Sequence, residues 1–284
     1  HHQYVPRARD TPMRRRKSEA YVFRERMGRK VQMFSLDGRV ALVTGAGRGI
    51  GRALALGLAD AGADVICLAR TGAEVEEAAG EIRAKGRRAL AVTADVTSRE
   101  QVTRAVDAAI AEFGKIDILV NNAGINIRKP ALEVEERDWD RVVETNLKGP
   151  FLVAQTVGRH MCEAGYGRVI NVSSVGGAVA LRTGVAYGAS KAGLMHMTRI
   201  LAMEWARYGV TVNAIGPWYF RTPLTEKLLQ DEQYVAEILA RTPMRRIGDL
   251  KELVGPVVFL ASEASSYMTG QALMVDGGMT IYGF

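Results

Sequence analysis

Arg39-Val-Ala-Leu-Val-Thr-Gly-Ala-Gly-Arg-Gly-Ile-Gly51 is an apolar run that stops in a cluster of glycines. A short stretch of Val, Ala and Leu bounded by turn residues reads as a strand buried on both faces. Beyond the glycines, Ile50, Leu54, Leu58 and Ala61 fall at helical spacing. Strand, glycine loop and helix in that order suit a pyrophosphate: glycines permit a tight turn and close backbone approach, and the first N–H groups of the helix attract an anion. Gly45, Gly47, Gly49 and Gly51, with Arg48 and Ile50 between them, are therefore candidate cofactor contacts. A purely structural turn is the alternative, and the flanking strand and amphipathic helix favour dinucleotide binding over it.

Outward from that loop, short β-branched apolar runs alternate with longer helical patterns. Strands are predicted at 39–44, 64–69, 88–93, 117–120, 168–172, 210–215 and 272–275. Helices are predicted over 72–86, 135–165 and 187–208, and Val102, Val106, Ala109 and Phe113 mark another between the third and fourth strands. This alternation predicts an α/β fold: one doubly wound domain over 36–284, its seven-stranded parallel sheet flanked by helices on both faces. A dinucleotide site of this kind usually carries Asp or Glu about 20 residues beyond the glycines, to bond the ribose hydroxyls of NAD. Here the second strand ends in Ala69-Arg70-Thr71, and Arg70 with Arg48 is placed to neutralise a 2′-phosphate, which favours NADP(H) over NAD(H). Solvated surface charges are the alternative reading of both. Asp95 follows the third strand and either accepts from an adenine amino group or caps the helix starting near Ser98. Asn121-Asn-Ala-Gly124 follows the fourth, at the carboxyl edge where open α/β sheets bind ligands, though Asn121 also suits a plain turn.

The net charge of +7 suggests a polyanion partner until it is divided along the chain. Residues 1–35 hold ten Lys/Arg against three Asp/Glu, and the rest holds 28 of each sign. The folded part thus carries no basic bias towards nucleic acid. Residues 1–35 read as a flexible tag or leader beginning with a histidine pair, with a nucleic-acid-binding arm as the alternative. No apolar run is long enough for a membrane span. Two separated cysteines, Cys67 and Cys162, fit a reduced, cytoplasmic protein, and His160 and His196 lack the companions a metal site needs, so none is expected.

One more stretch carries chemistry. In Ser174-Val-Gly-Gly-Ala-Val-Ala-Leu-Arg-Thr-Gly-Val-Ala-Tyr-Gly-Ala-Ser-Lys191, Tyr187 and Lys191 stand one helical turn apart, so an ammonium is expected beside a phenol. A neighbouring positive charge favours the phenolate and draws its pKa down from about 10 towards neutrality. Ser174 lies where the strand 168–172 has just ended.

Thr-Gly-x-x-x-Gly-x-Gly at 44–51, Asn-Asn-Ala-Gly at 121–124, Asn146, Ser174, Tyr187 and Lys191, in this order and spacing, resemble the short-chain dehydrogenase/reductase family. The resemblance runs from about Leu36 to the C-terminus. It implies a Rossmann-type fold, a nicotinamide cofactor and a catalytic tetrad of Asn146, Ser174, Tyr187 and Lys191. By the same resemblance, Ser174 bonds the substrate oxygen, Tyr187 exchanges its proton, Lys191 holds the cofactor ribose and lowers the phenol pKa, and Asn146 anchors a relay water. Val96, Asn122, Ala123, Gly124, Pro217 and Thr222 join the cofactor contacts, Thr222 through the carboxamide. The family pattern has Pro-Gly where this chain has Pro217-Trp218, so a bulky ring stands beside the expected nicotinamide position.

The phrases Gly124-Ile-Asn-Ile-Arg-Lys-Pro-Ala-Leu-Glu133, Asn213-Ala-Ile-Gly-Pro and Arg241-Thr-Pro-Met-Arg-Arg-Ile-Gly-Asp249 resemble the sugar-acid branch, that of gluconate 5-dehydrogenases and ketogluconate reductases. The implied substrate is a polyol or keto acid such as gluconate or 5-ketogluconate. Segments 125–130, 176–186 and 218–248 are expected to cover it. They contribute Asn126, Arg128, Lys129, Arg182, Tyr219, Arg221, Arg245 and Arg246, of which Arg128, Arg182, Trp218 and Tyr219 are the candidate substrate contacts. The rival within the class is a 3-oxoacyl-acyl-carrier-protein reductase. A cofactor-binding protein without catalysis is the alternative from outside it. The family resemblance also implies a homotetramer built on the helices at 135–165 and 187–208.

Overall fold

In the computed structural model, residues 33–283 are described apart from 183 and 224. The expectation of a flexible extension at 1–35 therefore lies almost wholly outside the described residues. Seven strands form one parallel sheet: β1 (Val40–Thr44), β2 (Asp64–Ala69), β3 (Ala89–Thr93), β4 (Ile118–Asn121), β5 (Gly167–Val172), β6 (Val210–Pro217) and β7 (Ala272–Val275). Their spatial order is β3-β2-β1-β4-β5-β6-β7. From β1 the chain winds outward through β2 and β3, then returns to β4 on the other side of β1. The carboxyl ends of β1 and β4 thus flank the switch point, where this class of sheet opens a crevice.

The connections are α1 (Gly49–Asp60), α2 (Gly72–Ala84), α3 (Arg99–Phe113), α4 (Glu136–Val143), α5 (Gly149–Ala164), α6 (Val185–Trp205), α7 (Glu232–Ala240) and α8 (Leu250–Ala261). Alternate strand residues face opposite layers, as the pleat requires. Ala41 and Val43 pack with Leu54, Leu58, Ile82 and Leu260 of α1, α2 and α8. Val40 and Leu42 pack with Val106, Val157 and Leu201 of α3, α5 and α6. With both faces covered, β1 and β4 are buried at every position.

Three departures from the sequence reading have physical causes. The helix expected over 135–165 is interrupted by a π-helical turn at Glu144–Lys148, where Gly149 N–H donates to the Glu144 carbonyl. Helix α3 is capped by Ser98, whose hydroxyl accepts from Gln101 N–H, while Asp95 folds back to accept from Thr97 N–H and Oγ1 at 2.9 and 2.8 Å. Asp95 is therefore a turn former and not the cap. Helices α7 and α8 were not expected. α8 opens on a capping box in which Asp249 and Glu252 exchange side-chain and backbone bonds.

Candidate active site

The glycine loop follows β1 and passes directly into α1. Gly45 and Gly49 adopt φ of +65° and +57°, left-handed values that L side chains disfavour. A Cβ at Gly51 would sit 2.0 Å from the Gly45 carbonyl oxygen, so the loop folds this tightly only with glycine there. Around Gly49 a Cβ would meet nothing within 4 Å, leaving open space over the start of the helix. Arg48 at the N-cap provides no side-chain cap to α1. The first-turn N–H groups are thus without that partner beside the opening, which fits an anionic pyrophosphate. Gly47 packs against α2, since a Cβ there would lie 2.8 Å from that of Glu74.

Asn122 and Ala123 brace this loop from β4. Both backbone N–H groups donate to Thr44 Oγ1 at 3.0 Å, and Asn122 Nδ2 donates to the carbonyls of Thr44 and Gly45. Asn121 is not a turn residue: it ends β4, and its Nδ2 donates to Asn171 Oδ1 and the Pro150 carbonyl. Val96 is buried beside α5, where a Cβ on Gly149 would lie 2.8 Å from its Cγ2. Arg48 and Arg70 are both exposed at this edge. Nearby Arg52 and Arg83 are paired with Glu77 and Glu76, whereas Arg48 and Arg70 have no carboxylate partner among the described residues.

The second half of the site forms where β5 ends. Ser173 Oγ donates to the Lys191 carbonyl at 2.9 Å, and Ser174 Oγ accepts from Gly176 N–H at 3.0 Å, capping a short 3-10 turn. That turn lies flat on α6: a Cβ on Gly177 would be 2.8 Å from the Lys191 carbonyl carbon. Strand end and helix are thereby fixed together, and Ser174, Tyr187 and Lys191 with them. Wholly buried Asn146 sits in the π-helical turn. Its Oδ1 accepts from Ile125 N–H and its Nδ2 donates to Ile125 O, both at 2.8 Å. The same Nδ2 reaches Ser190 Oγ, which donates to the Tyr187 carbonyl at 2.7 Å. Ser190 thus ties Asn146 to Tyr187; it sits inside the quoted stretch, next to Lys191, and its type alone gave no signal. Gly124 stands between the parts, as a Cβ there would lie 3.3 Å from Asn146 Oδ1 and 3.5 Å from Lys191 Nζ.

The electrostatics differ from the expectation drawn from the Tyr-Lys spacing. Lys191 is buried, its Nζ donates to the Val172 carbonyl at 2.9 Å, and it lies 5.7 Å from the centroid of the Tyr187 ring. Burial lowers its own pKa from 10.5 to about 8. The Tyr187 phenol is raised, because desolvation outweighs the lowering by the Ser174 hydroxyl and by the positive charge of Arg128. A positive charge that favours the phenolate thus comes from Arg128, on the loop after β4.

Pro217 closes β6, and Thr222 lies in the loop beyond it, where it and Thr225 exchange backbone-to-hydroxyl bonds at 2.9 and 3.1 Å. Trp218 Nε1 donates to Thr242 Oγ1 at 3.0 Å, and its indole packs edge-on to Tyr219 with centroids 4.6 Å apart. The tryptophan in the glycine position is thus used to tie the β6 loop to the end of α7. Arg182 is paired with Glu237 of α7. A cleft of about 770 Å³ runs between residues 176–182, Arg128 and the Val185, Ala189 and Ala192 flank of α6. Ser174, Tyr187 and Lys191 do not line it, so it borders the chemistry and does not contain it.

A family profile described as enoyl-(acyl carrier protein) reductase matches residues 45–280. Gluconate 5-dehydrogenase of Gluconobacter oxydans (strain 621H) is 44% identical over 250 residues, covering 88% of this chain and 97% of that one. The chain belongs to the short-chain dehydrogenase/reductase family. A second relative of this dehydrogenase/reductase, the 2-dehydro-3-deoxy-D-gluconate 5-dehydrogenase of Escherichia coli (strain K12), is 45% identical over 249 residues, covering 86% of this chain and 96% of that one. The crystal structure of a gluconate 5-dehydrogenase from Burkholderia cenocepacia J2315, in complex with NADP and tartrate, superposes with a TM-score of 0.85 at 43% identity. It covers 88% of this chain and 98% of that one. The dehydrogenase/reductase is accordingly a nicotinamide-dependent oxidoreductase. Among its described residues, no helix is long and apolar enough to cross a membrane.

Proposed function

We propose that this enzyme interconverts a hydroxyl and a ketone on a sugar acid of the gluconate/5-ketogluconate type, with NADP(H) preferred over NAD(H). When bound, the nicotinamide supplies or accepts the hydride. In the reducing direction, Ser174 Oγ holds the substrate carbonyl oxygen, and the Tyr187 hydroxyl gives that oxygen its proton as hydride reaches the carbon. The Tyr187 phenolate then regains a proton from solvent, so one hydride and one proton are added in all. Lys191 spends one N–H on Val172 and keeps two for the cofactor ribose. Asn146 fixes Ile125 and thereby the loop carrying Gly124. Arg48 and Arg70, exposed at the carboxyl edge, receive the 2′-phosphate.

One observation carries the substrate class. Of the six cations named above from the covering segments, Lys129, Arg182 and Arg246 are neutralised by Asp138, Glu237 and Glu252. Arg128, Arg221 and Arg245 have no carboxylate partner among the described residues, and of these Arg128 acts electrostatically on Tyr187. An unpaired guanidinium beside the proton donor suits a carboxylate-bearing substrate. The names of the three relatives support the same reading. A homotetramer in the cytoplasm completes the proposal. Phe151 of α5 and Val185, Ile200 and Met203 of α6 are exposed apolar side chains that a second copy would cover, together with the open flank of the cleft.

Steady-state rates with gluconate, 5-ketogluconate, 2-keto-3-deoxygluconate and an acetoacetyl thioester, each with both cofactors, test this. Turnover of a sugar acid, with kcat/KM higher for NADP(H), is expected. Thioester reduction without sugar-acid turnover would transfer the enzyme to the 3-oxoacyl reductase class, and a clear NAD(H) preference would overturn the reading of Arg48 and Arg70.

A further inference from the structure

Two loops and a helix meet near the start of α6. The loop after β4 brings Arg128, whose Cα would lie 3.9 Å from a Cβ on Gly184. The loop after β6 brings Tyr219, and α7 brings Tyr234. Arg128 Nη1 donates to Tyr234 Oη at 3.2 Å, and the Tyr234 and Tyr219 hydroxyls share a hydrogen bond. The two rings meet edge-on with centroids 5.9 Å apart, and Trp218 also packs edge-on to Tyr219. Burial pushes the Tyr219 phenol up to about 12, so it keeps its proton at neutral pH.

A guanidinium on a loop has many rotamers, and holding it in one costs conformational entropy. The ordinary anchor would be Asp or Glu, but a carboxylate would cancel the charge that a substrate carboxylate needs. A phenol oxygen accepts one guanidinium hydrogen, fixes the plane of the fork and leaves the positive charge and the remaining donors available. Lys129 and Arg182 show the contrast: they flank the same cleft and are both paired with carboxylates.

We infer that Tyr234, supported by Tyr219, is a positioning residue that holds Arg128 charged and oriented for the carboxylate of the substrate. This rests on the sugar-acid reading above and adds a specificity element from α7, a helix without a sequence motif. It also gives Trp218 a role. The indole, tied to Thr242 just beyond α7, packs against Tyr219 and so steadies the phenol pair.

The test is a double-mutant cycle of Tyr234→Phe and Arg128→Gln on the full chain, with steady-state kinetics on the sugar acid that the wild type turns over. Tyr234→Phe keeps the ring and removes only the hydroxyl. It is expected to raise KM for the sugar acid about fivefold, the cost of leaving the Arg128 side chain to be ordered on binding, with kcat changed less than about twofold. Arg128→Gln is expected to raise KM more, and adding Tyr234→Phe to it should change little, because the residue that Tyr234 positions is then gone. Cofactor affinity, measured by nicotinamide fluorescence, should be equal in all four proteins and reports intact folding. Equal costs of Tyr234→Phe in both backgrounds, or no KM change in either single variant, would overturn the inference while leaving the proposed function standing. A wild type inactive on every sugar acid would overturn both.

Discussion

Replacing Lys191 by Met should make the cofactor-free protein more stable at neutral pH while destroying its activity. Lys191 is 5% exposed, and burial holds its pKa at about 8 against the ordinary 10.5. That difference corresponds to about 3 kcal/mol. The sign follows from proton counts. Between pH 8 and 10.5 the unfolded chain binds the lysine proton and the folded chain does not, so folded stability rises with pH across this window. The full penalty of about 3 kcal/mol applies below pH 8, and about 2 kcal/mol of it is relieved by pH 9.5. Lys191→Met removes the penalty and also the bond to the Val172 carbonyl, worth about 1 kcal/mol. The variant should therefore exceed wild type by about 2 kcal/mol at pH 7, and the gap should shrink to roughly zero at pH 9.5. Urea unfolding without cofactor at both pH values measures this, and the difference between the two proteins cancels other titrating groups. Parallel pH dependences, or a variant less stable at pH 7, would refute the claim that a desolvated charge is held in this site.

Two further outcomes probe the two halves of the site separately. Gly51→Ala places a methyl 2.0 Å from a backbone oxygen that no rotamer can avoid. The loop must shift at a cost on the order of 3 kcal/mol, so cofactor affinity measured by calorimetry should fall roughly a hundredfold, and unchanged affinity would show that the loop does not hold the cofactor. Tyr187→Phe keeps the packing and removes the proton, so kcat should fall about 10³-fold with cofactor affinity retained, and substantial residual turnover would refute Tyr187 as proton donor.

What the sequence made legible was local. Each strand lay in an apolar run between turn residues, and the seven expected strands match the observed ones to within two residues at either end. Gly45 to Gly51 could be read because a strand, a turn and a helix follow one another without a gap. Helix α7 escaped because nothing within Glu232–Ala240 announces its partners: Tyr234, Glu237 and the neighbouring Thr242 acquire meaning from Arg128, Arg182 and Trp218, distant in sequence. Asn146 was assigned by resemblance. The π-helical turn that places it is a feature of backbone hydrogen bonding between Glu144 and Gly149, which residue types do not encode in a recognisable way.

The Tyr187–Lys191 pair shows where spacing stops being sufficient. Four residues of helix put two side chains on one face, but whether the ammonium depresses the phenol depends on where each head group ends. Lys191 turns its charge to the Val172 carbonyl at the end of β5 and is itself desolvated, while Tyr187 is desolvated as well. Two buried groups that both resist ionisation cannot by themselves give a phenolate near neutrality. The lowering comes from the Ser174 hydroxyl and from the positive charge of Arg128. If Arg128 also receives the substrate carboxylate, its charge is offset when substrate binds and the phenol is driven further towards its protonated form. That is the form needed to reduce a ketone, so the pocket that selects an acid would also hold Tyr187 ready to donate.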